Sequence, residues 1–185
     1  MSAPSDSSVT PQRRPSDTVD YRHAVYAGSF DPITLGHTAI IERAARLYDK
    51  VTIGLGFNVK KANTGLFELE ERLELIRSSV AHLPRVRVEA FEGLLIEMCV
   101  RIGAGVIVRG LRVLTDFEYE FQLALANRDL RPEIETSFLV TEHSHVYVSS
   151  SLVKEIAANG GSVSRYVSPV VAEALSKKMQ DRTNG

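Results

Sequence analysis

The chain has 185 residues, 44% of them hydrophobic, which suffices for one domain with a sizeable core and is short for two. A formal net charge of −1 and a pI near 6.5 give no global basic field, so a long nucleic acid is not the expected partner. A single cysteine, Cys99, excludes an internal disulfide framework and suits a reducing cytoplasm, and no apolar run is long enough to predict a membrane span.

The leader MSAPSDSSVTPQRRPSDTVD is rich in Ser, Pro, Thr and Asp and poor in large apolar groups, so it cannot offset the entropy of being ordered. A disordered tail is expected over residues 1–21, with neither the apolar stretch of a secretory signal nor the acid-poor character of a transit peptide. A single domain over 22–180 follows, including a C-terminal helix, and residues 181–185 read as a flexible end. Within it HAVYA (23–27), KVTIGL (50–55), VRVEAF (86–91), GVIVRG (105–110) and ETSFLV (135–140) are short, Val- and Ile-rich runs bounded by Gly, Pro or charge, and they predict five buried strands.

Helical patterns lie between them. Leu69, Leu73, Ile76 and Val80 share one face, which is expected to meet the sheet. LLIEMCVRIG ends on Gly103 as a C-terminal stop, with Cys99 read as a buried small apolar group. Phe117, Phe121, Ala124 and Leu125 form another apolar stripe, and Ser168-Pro169 opens the last helix as a cap followed by proline. Strands alternating with helices predict an α/β fold, a Rossmann-like, doubly wound, five-stranded parallel sheet with helices on both faces.

In such sheets ligands sit beyond the carboxyl ends of the strands. Three polar stretches fall there. In AGSFDPITLGH (27–37), Gly28 and Gly36 permit close backbone approach or positive φ, and Asp31-Pro32 sets a turn. A helix from about Gly36 would present unpaired N–H groups to an anion, and His37 in its first turn would add a donor. The plainer reading is an ordinary loop with a capping histidine. VRGLRVLTDFEYE brings Arg109 and Arg112 out of a buried strand, where guanidinium groups call for an anion; Asp116, Glu118 and Glu120 offer an internal ion-pair network instead. In VSSSLVKE a Ser cap explains one of Ser149, Ser150 and Ser151, and the other two suit a nucleotide contact or solvent. His143 and His145 form an H-x-H pair without a third ligand.

Taken together, GSFDPITLGH resembles the T/HxGH signature of the nucleotidyltransferase superfamily, and RGLR, DFEYE and SSSLVKE in this order resemble its bacterial phosphopantetheine adenylyltransferase branch. The resemblance runs from about His23 to Leu175. It implies transfer of AMP from ATP to 4′-phosphopantetheine, giving dephospho-coenzyme A and pyrophosphate in coenzyme A biosynthesis. It further implies Mg²⁺ carried by the ATP phosphates with no protein metal ligands, and a homohexamer; a cytoplasmic location is expected from the cysteine usage, and the pantetheine pocket makes coenzyme A a candidate feedback ligand, with inhibition left open by the sequence. Neither a nucleic acid nor a membrane is an implied partner.

By the same resemblance His37, Lys61 and Arg109 are catalytic. Ser29, Phe30, His37, Gly110, Arg112, Glu120, Val148, Ser149, Ser150 and Ser151 hold ATP, with Tyr119 nearby. Ser29, Lys61, Leu94, Leu95, Arg109, Leu123 and Asn127 hold phosphopantetheine, although the leucines also fit plain helix packing. Two departures stand out. Ser29 occupies a position where the family often has Thr, and the loop FNVKKANTGLF is about two residues longer than N-x-x-K-x-G-x-F, so Lys60 and Lys61 are both eligible; counting from Asn58 selects Lys61. Two alternatives stay open: a nucleotidyltransferase acting on another small phosphorylated acceptor, such as nicotinate mononucleotide, and a non-catalytic nucleotide- or coenzyme-A-sensing module.

Overall fold

The computed structural model describes residues 19–57, 65–112 and 114–183. All five strands form where β-branched runs predict them: β1 (Asp20–Gly28), β2 (Lys50–Phe57), β3 (Val86–Glu92), β4 (Ala104–Leu111) and β5 (Glu135–Val140). They make one wholly parallel sheet in the order β3-β2-β1-β4-β5. Its connections carry α1 (Leu35–Leu47), α2 (Leu69–Ser79), α3 (Leu95–Ile102) and α4 (Leu114–Leu130), and α5 (Ser150–Ala158) and α6 (Pro169–Thr183) close the chain.

The two-residue period of β1 separates the two cores. Ala24 and Tyr26 join Ile40, Ile41 and Ala44 of α1, Leu73 and Ile76 of α2, and Val171 and Leu175 of α6. Val25 and Ala27 face the other way, against Ile96, Met98 and Cys99 of α3. Phe138 of β5 meets Phe117 of α4 edge-on at 5.9 Å while its neighbour Leu139 belongs to the α1 side, so α4 shares the α3 face. The sheet is therefore covered on both faces. Leu73, Ile76 and Val80 are buried as their spacing predicts, and Gly103 ends α3 with φ at +69°.

Three boundaries and faces differ from expectation. β1 begins at Asp20, inside the expected tail, because its N–H donates to Gly103 O at 2.9 Å and Tyr21 Oη donates to Glu133 O at 3.0 Å. The last helix continues to Thr183, past the expected end at 180. The α4 stripe is only half covered, with Phe117, Phe121 and Leu125 at 40%, 45% and 49% exposure.

Candidate active site

The carboxyl ends of β1 and β4 flank the order reversal of the sheet, and the loops that leave them build the site. At the end of β1 a Cβ on Gly28 would stand 3.1 Å from Phe30 Cζ, so glycine lets the Phe30 ring fold back beneath the turn. The left-handed residue of this turn is Phe30 itself, with φ at +42°, and neither Gly28 nor Gly36 adopts positive φ. The Asp31–Pro32 peptide bond is cis. Thr34 then caps α1 in a reciprocal box with His37, the third residue of the helix.

That box fixes the chemistry of His37. The Thr34 backbone N–H, which can only donate, donates a hydrogen bond to His37 Nδ1 at 3.0 Å. In the neutral ring Nδ1 is therefore the acceptor and Nε2 carries the hydrogen. Burial, helped by the Arg112 cation, pushes the His37 pKa down to about 4, so the ring is neutral near pH 7. It packs edge-on against Phe30 at 5.1 Å and lies 6.5 Å from Tyr26, whose phenol burial pushes up to about 12. Cap and donor are thus divided between two nitrogens of one ring.

Arg109, near the end of β4, is held in a fork by Glu120 of α4: Nε donates to Oε2 at 2.6 Å and Nη2 to Oε1. Nη1 donates to Ala27 O at 3.1 Å, tying the fork to the end of β1. Both Glu120 oxygens face Arg109, so Glu120 makes the expected internal ion pair; Glu118 is exposed, and the Asp116 side chain lies outside what the structure describes. Among the described residues three of the five Arg109 guanidinium N–H groups are engaged. Arg112 Nη1 reaches Val148 O at 3.4 Å, linking the β4 loop to the segment before α5.

Ser149 is the cap of α5, its Oγ accepting from Leu152 N at 3.1 Å. The Ser150 hydroxyl donates to Pro32 O at 2.8 Å and so braces the β1 turn, and Ser151 is exposed. These loops enclose a cleft of about 610 Å³. Ser29, Phe30, His37, Arg109, Gly110, Arg112, Tyr119, Glu120, Val148, Ser149 and Ser150 all line it. Ser151 does not, nor do Leu94, Leu95, Leu123 and Asn127. Leu94 precedes α3 with 57% exposure, Leu95 packs on the α3 core, and Leu123 and Asn127 lie on α4. Lys60 and Lys61 lie outside the described residues.

The cleft also holds residues that sequence reasoning passed over, Tyr26, Thr34 and Thr141. Thr34 had a signal, being a threonine three residues before His37 at a helix start. Among the described residues no three His, Cys, Asp or Glu side chains cluster as a metal site. His143 and His145 share a 3-10 turn in which His145 Nδ1 lies 4.0 Å from Glu142 Oε2.

Residues 25–156 match the Cytidylyltransferase-like family. A phosphopantetheine adenylyltransferase of Heliobacterium modesticaldum is 48% identical over 162 residues, covering 88% of this chain and 95% of that one. The chain belongs to the phosphopantetheine adenylyltransferase family. A second phosphopantetheine adenylyltransferase, from Caldanaerobacter subterraneus, is 47% identical over 159 residues, covering 86% and 98% of the two chains. The nucleotidyltransferase fold is shared more widely. A bifunctional NMN adenylyltransferase/ADP ribose pyrophosphatase from Francisella tularensis superposes with a TM-score of 0.64 at 19% identity, over 87% of this chain and 50% of that one. A nicotinic acid mononucleotide adenylyltransferase from Plasmodium falciparum gives 0.61 at 13% identity, over 84% and 94%.

Proposed function

We propose that the cleft transfers AMP from ATP to 4′-phosphopantetheine, giving dephospho-coenzyme A and pyrophosphate. The observation that carries the reading is a neutral His37 at the start of α1, its Nδ1 committed to the cap and its Nε2–H, among the described residues, left as a donor in a cleft that Arg112 also lines. An acceptor oxygen of the phosphopantetheine phosphate attacks the α-phosphorus of ATP as the bond to the β-phosphate oxygen breaks, and pyrophosphate leaves. The attacking phosphate is already ionised, so the site needs position and charge compensation more than a general base. His37 Nε2–H and the α1 N-terminus face the charge that grows on the α-phosphate. Arg112 and the loop from Val148 to Ser150 hold ATP, and Ser29 and Arg109 hold the acceptor phosphate.

Lys61 joins them as the phosphate lysine. The support is its register from Asn58, and Lys61→Ala is expected to cost about 10²-fold in kcat/KM against a few-fold for Lys60→Ala. Mg²⁺ suits a site in which Glu120, the one lining carboxylate among the described residues, is already committed to Arg109: the ion would be held by the ATP phosphates, and its contribution would be to neutralise their charge. We place the enzyme in the cytoplasm, as a homohexamer subject to coenzyme A binding in the acceptor pocket. Among the described residues no helix is long and apolar enough to cross a membrane.

The test is pyrophosphate release from ATP and from CTP with a panel of acceptors and Mg²⁺. Turnover of ATP with 4′-phosphopantetheine is expected. Release with nicotinate mononucleotide instead, or binding of ATP without turnover of any acceptor, would overturn the reading.

A further inference from the structure

Outside the cleft, one buried carboxylate gathers three distant pieces of chain. Asp31 is 7% exposed and does not line the cleft. Its Oδ2 accepts from Leu66 N at 3.0 Å and from Lys154 Nζ at 2.7 Å, and its Oδ1 accepts from Phe67 N at 2.9 Å. Lys154 lies one turn into α5, whose first residue, Ser150, donates to Pro32 O at 2.8 Å. Gly65 is part of the same junction, because a Cβ there would meet Asp31 Oδ2 at 3.5 Å and Phe67 O at 3.1 Å.

A buried carboxylate is costly unless it is paired and hydrogen-bonded, and apolar side chains would join the same segments more cheaply. What the ionic junction adds is direction. The turn it supports contains Phe30 at φ +42°, a conformation that non-glycine residues keep only where the surroundings over-determine it. Ser29, on one side of Phe30, has its carbonyl fixed by Arg72 Nη1 at 3.1 Å, and Asp31 is fixed on the other. The same pair ties the turn to α5, so it sets the opening between the starts of α1 and α5, the two helix ends that line the cleft.

We propose that Asp31 and Lys154 are positioning residues for adenylyl transfer, holding the Ser29–Phe30 turn and the start of α5 in register with His37. The inference rests on the adenylyltransferase reading above. Burial alone would raise the Asp31 carboxyl, but the Lys154 ammonium and the two backbone N–H groups outweigh it and hold it below the ordinary carboxylate value. The Asp31 carboxylate is therefore ionised through the neutral range. A misplacement of about 1 Å at reacting groups costs on the order of 10²-fold in rate, so a device that never touches substrate can act strongly on kcat.

The experiment compares the full chain with Lys154→Met, Lys154→Arg and Asp31→Asn/Lys154→Met, measuring kcat, KM for both substrates and thermal midpoint. Lys154→Met is expected to lose about 10-fold or more in kcat while KM for ATP moves less than about 3-fold. Lys154→Arg, which can still donate to Oδ2, is expected to recover most of the rate. The double variant is expected to be no slower than Lys154→Met, because the partners act as one unit. If Lys154→Met does not fold, Lys154→Gln, a neutral donor, takes its place under the same criteria. A parent-like kcat well below the melting temperature, whatever the fall in stability, would make the pair merely structural and overturn the proposal, as would an Arg variant as slow as Met. An inactive parent would overturn both this proposal and the reaction assigned above.

Discussion

His37 is where sequence and geometry agree most closely, because a helix start, a histidine in its first turn and a preceding threonine are all local signals. If its Nε2–H stabilises charge gained only in the transition state, His37→Ala should lower kcat by roughly 10²–10³-fold and change ATP binding far less, as read by turnover and calorimetric titration. A protonation test follows from its pKa of about 4, below the ordinary 6.5. Between those two values the unfolded chain takes up a proton that folded His37 refuses, so stability should fall as pH falls through that window. His23, which burial and Lys50 also push down, contributes with the same sign. Urea midpoints at pH 7 and pH 5 should therefore differ less for His37→Gln than for the parent. Asp31 illustrates what local reading misses. Its place in a turn is plain from the Asp-Pro pair, but its partners lie 35, 36 and 123 residues away, and no spacing announces them.

The elements divide the same way. Strands were legible because a parallel sheet buried on both faces demands continuous β-branched runs, and Gly103 marked the end of α3 because few other residues accept its left-handed φ. The start of β1 was not legible, since Asp20 becomes a strand residue only by pairing with Gly103 and Ala104, more than eighty positions on. The last helix shows how tertiary burial holds an element whose sequence is largely polar. Val171 and Leu175 are fully buried in the α1-side core, whereas Val170 is 49% exposed. Leu175→Ala should cost about 2–5 kcal/mol in denaturant unfolding, and Val170→Ala should stay within about 0.5 kcal/mol. Similar losses at both positions would mean that α6 is not docked as described.

At the scale of the whole molecule, the period of α4 revealed an apolar stripe but could not say what covers it. The sheet takes only part: Phe117 reaches Phe138, and Phe121 and Leu125 continue the stripe at 45% and 49% exposure, with Leu130 at 58% farther along. Single exposed apolar side chains are ordinary, but large ones repeated every four residues along one helix make a contiguous patch of the kind that marks an interface. For a chain proposed to be a hexamer, a second copy is the natural occupant of this patch, and the stripe lies apart from the residues that line the cleft. Phe121→Asp/Leu125→Asp should therefore shift the sedimenting species from oligomer to monomer, because each buried contact would now cost the desolvation of a charge. Each protomer carries its own cleft, so loss of assembly should leave ATP binding per chain largely intact. The melting temperature of the parent should rise with protein concentration while that of the variant should not. A parent that sediments as a monomer at assay concentration would remove both the hexamer and α4 as its contact; an oligomer unmoved by the two aspartates would remove only α4.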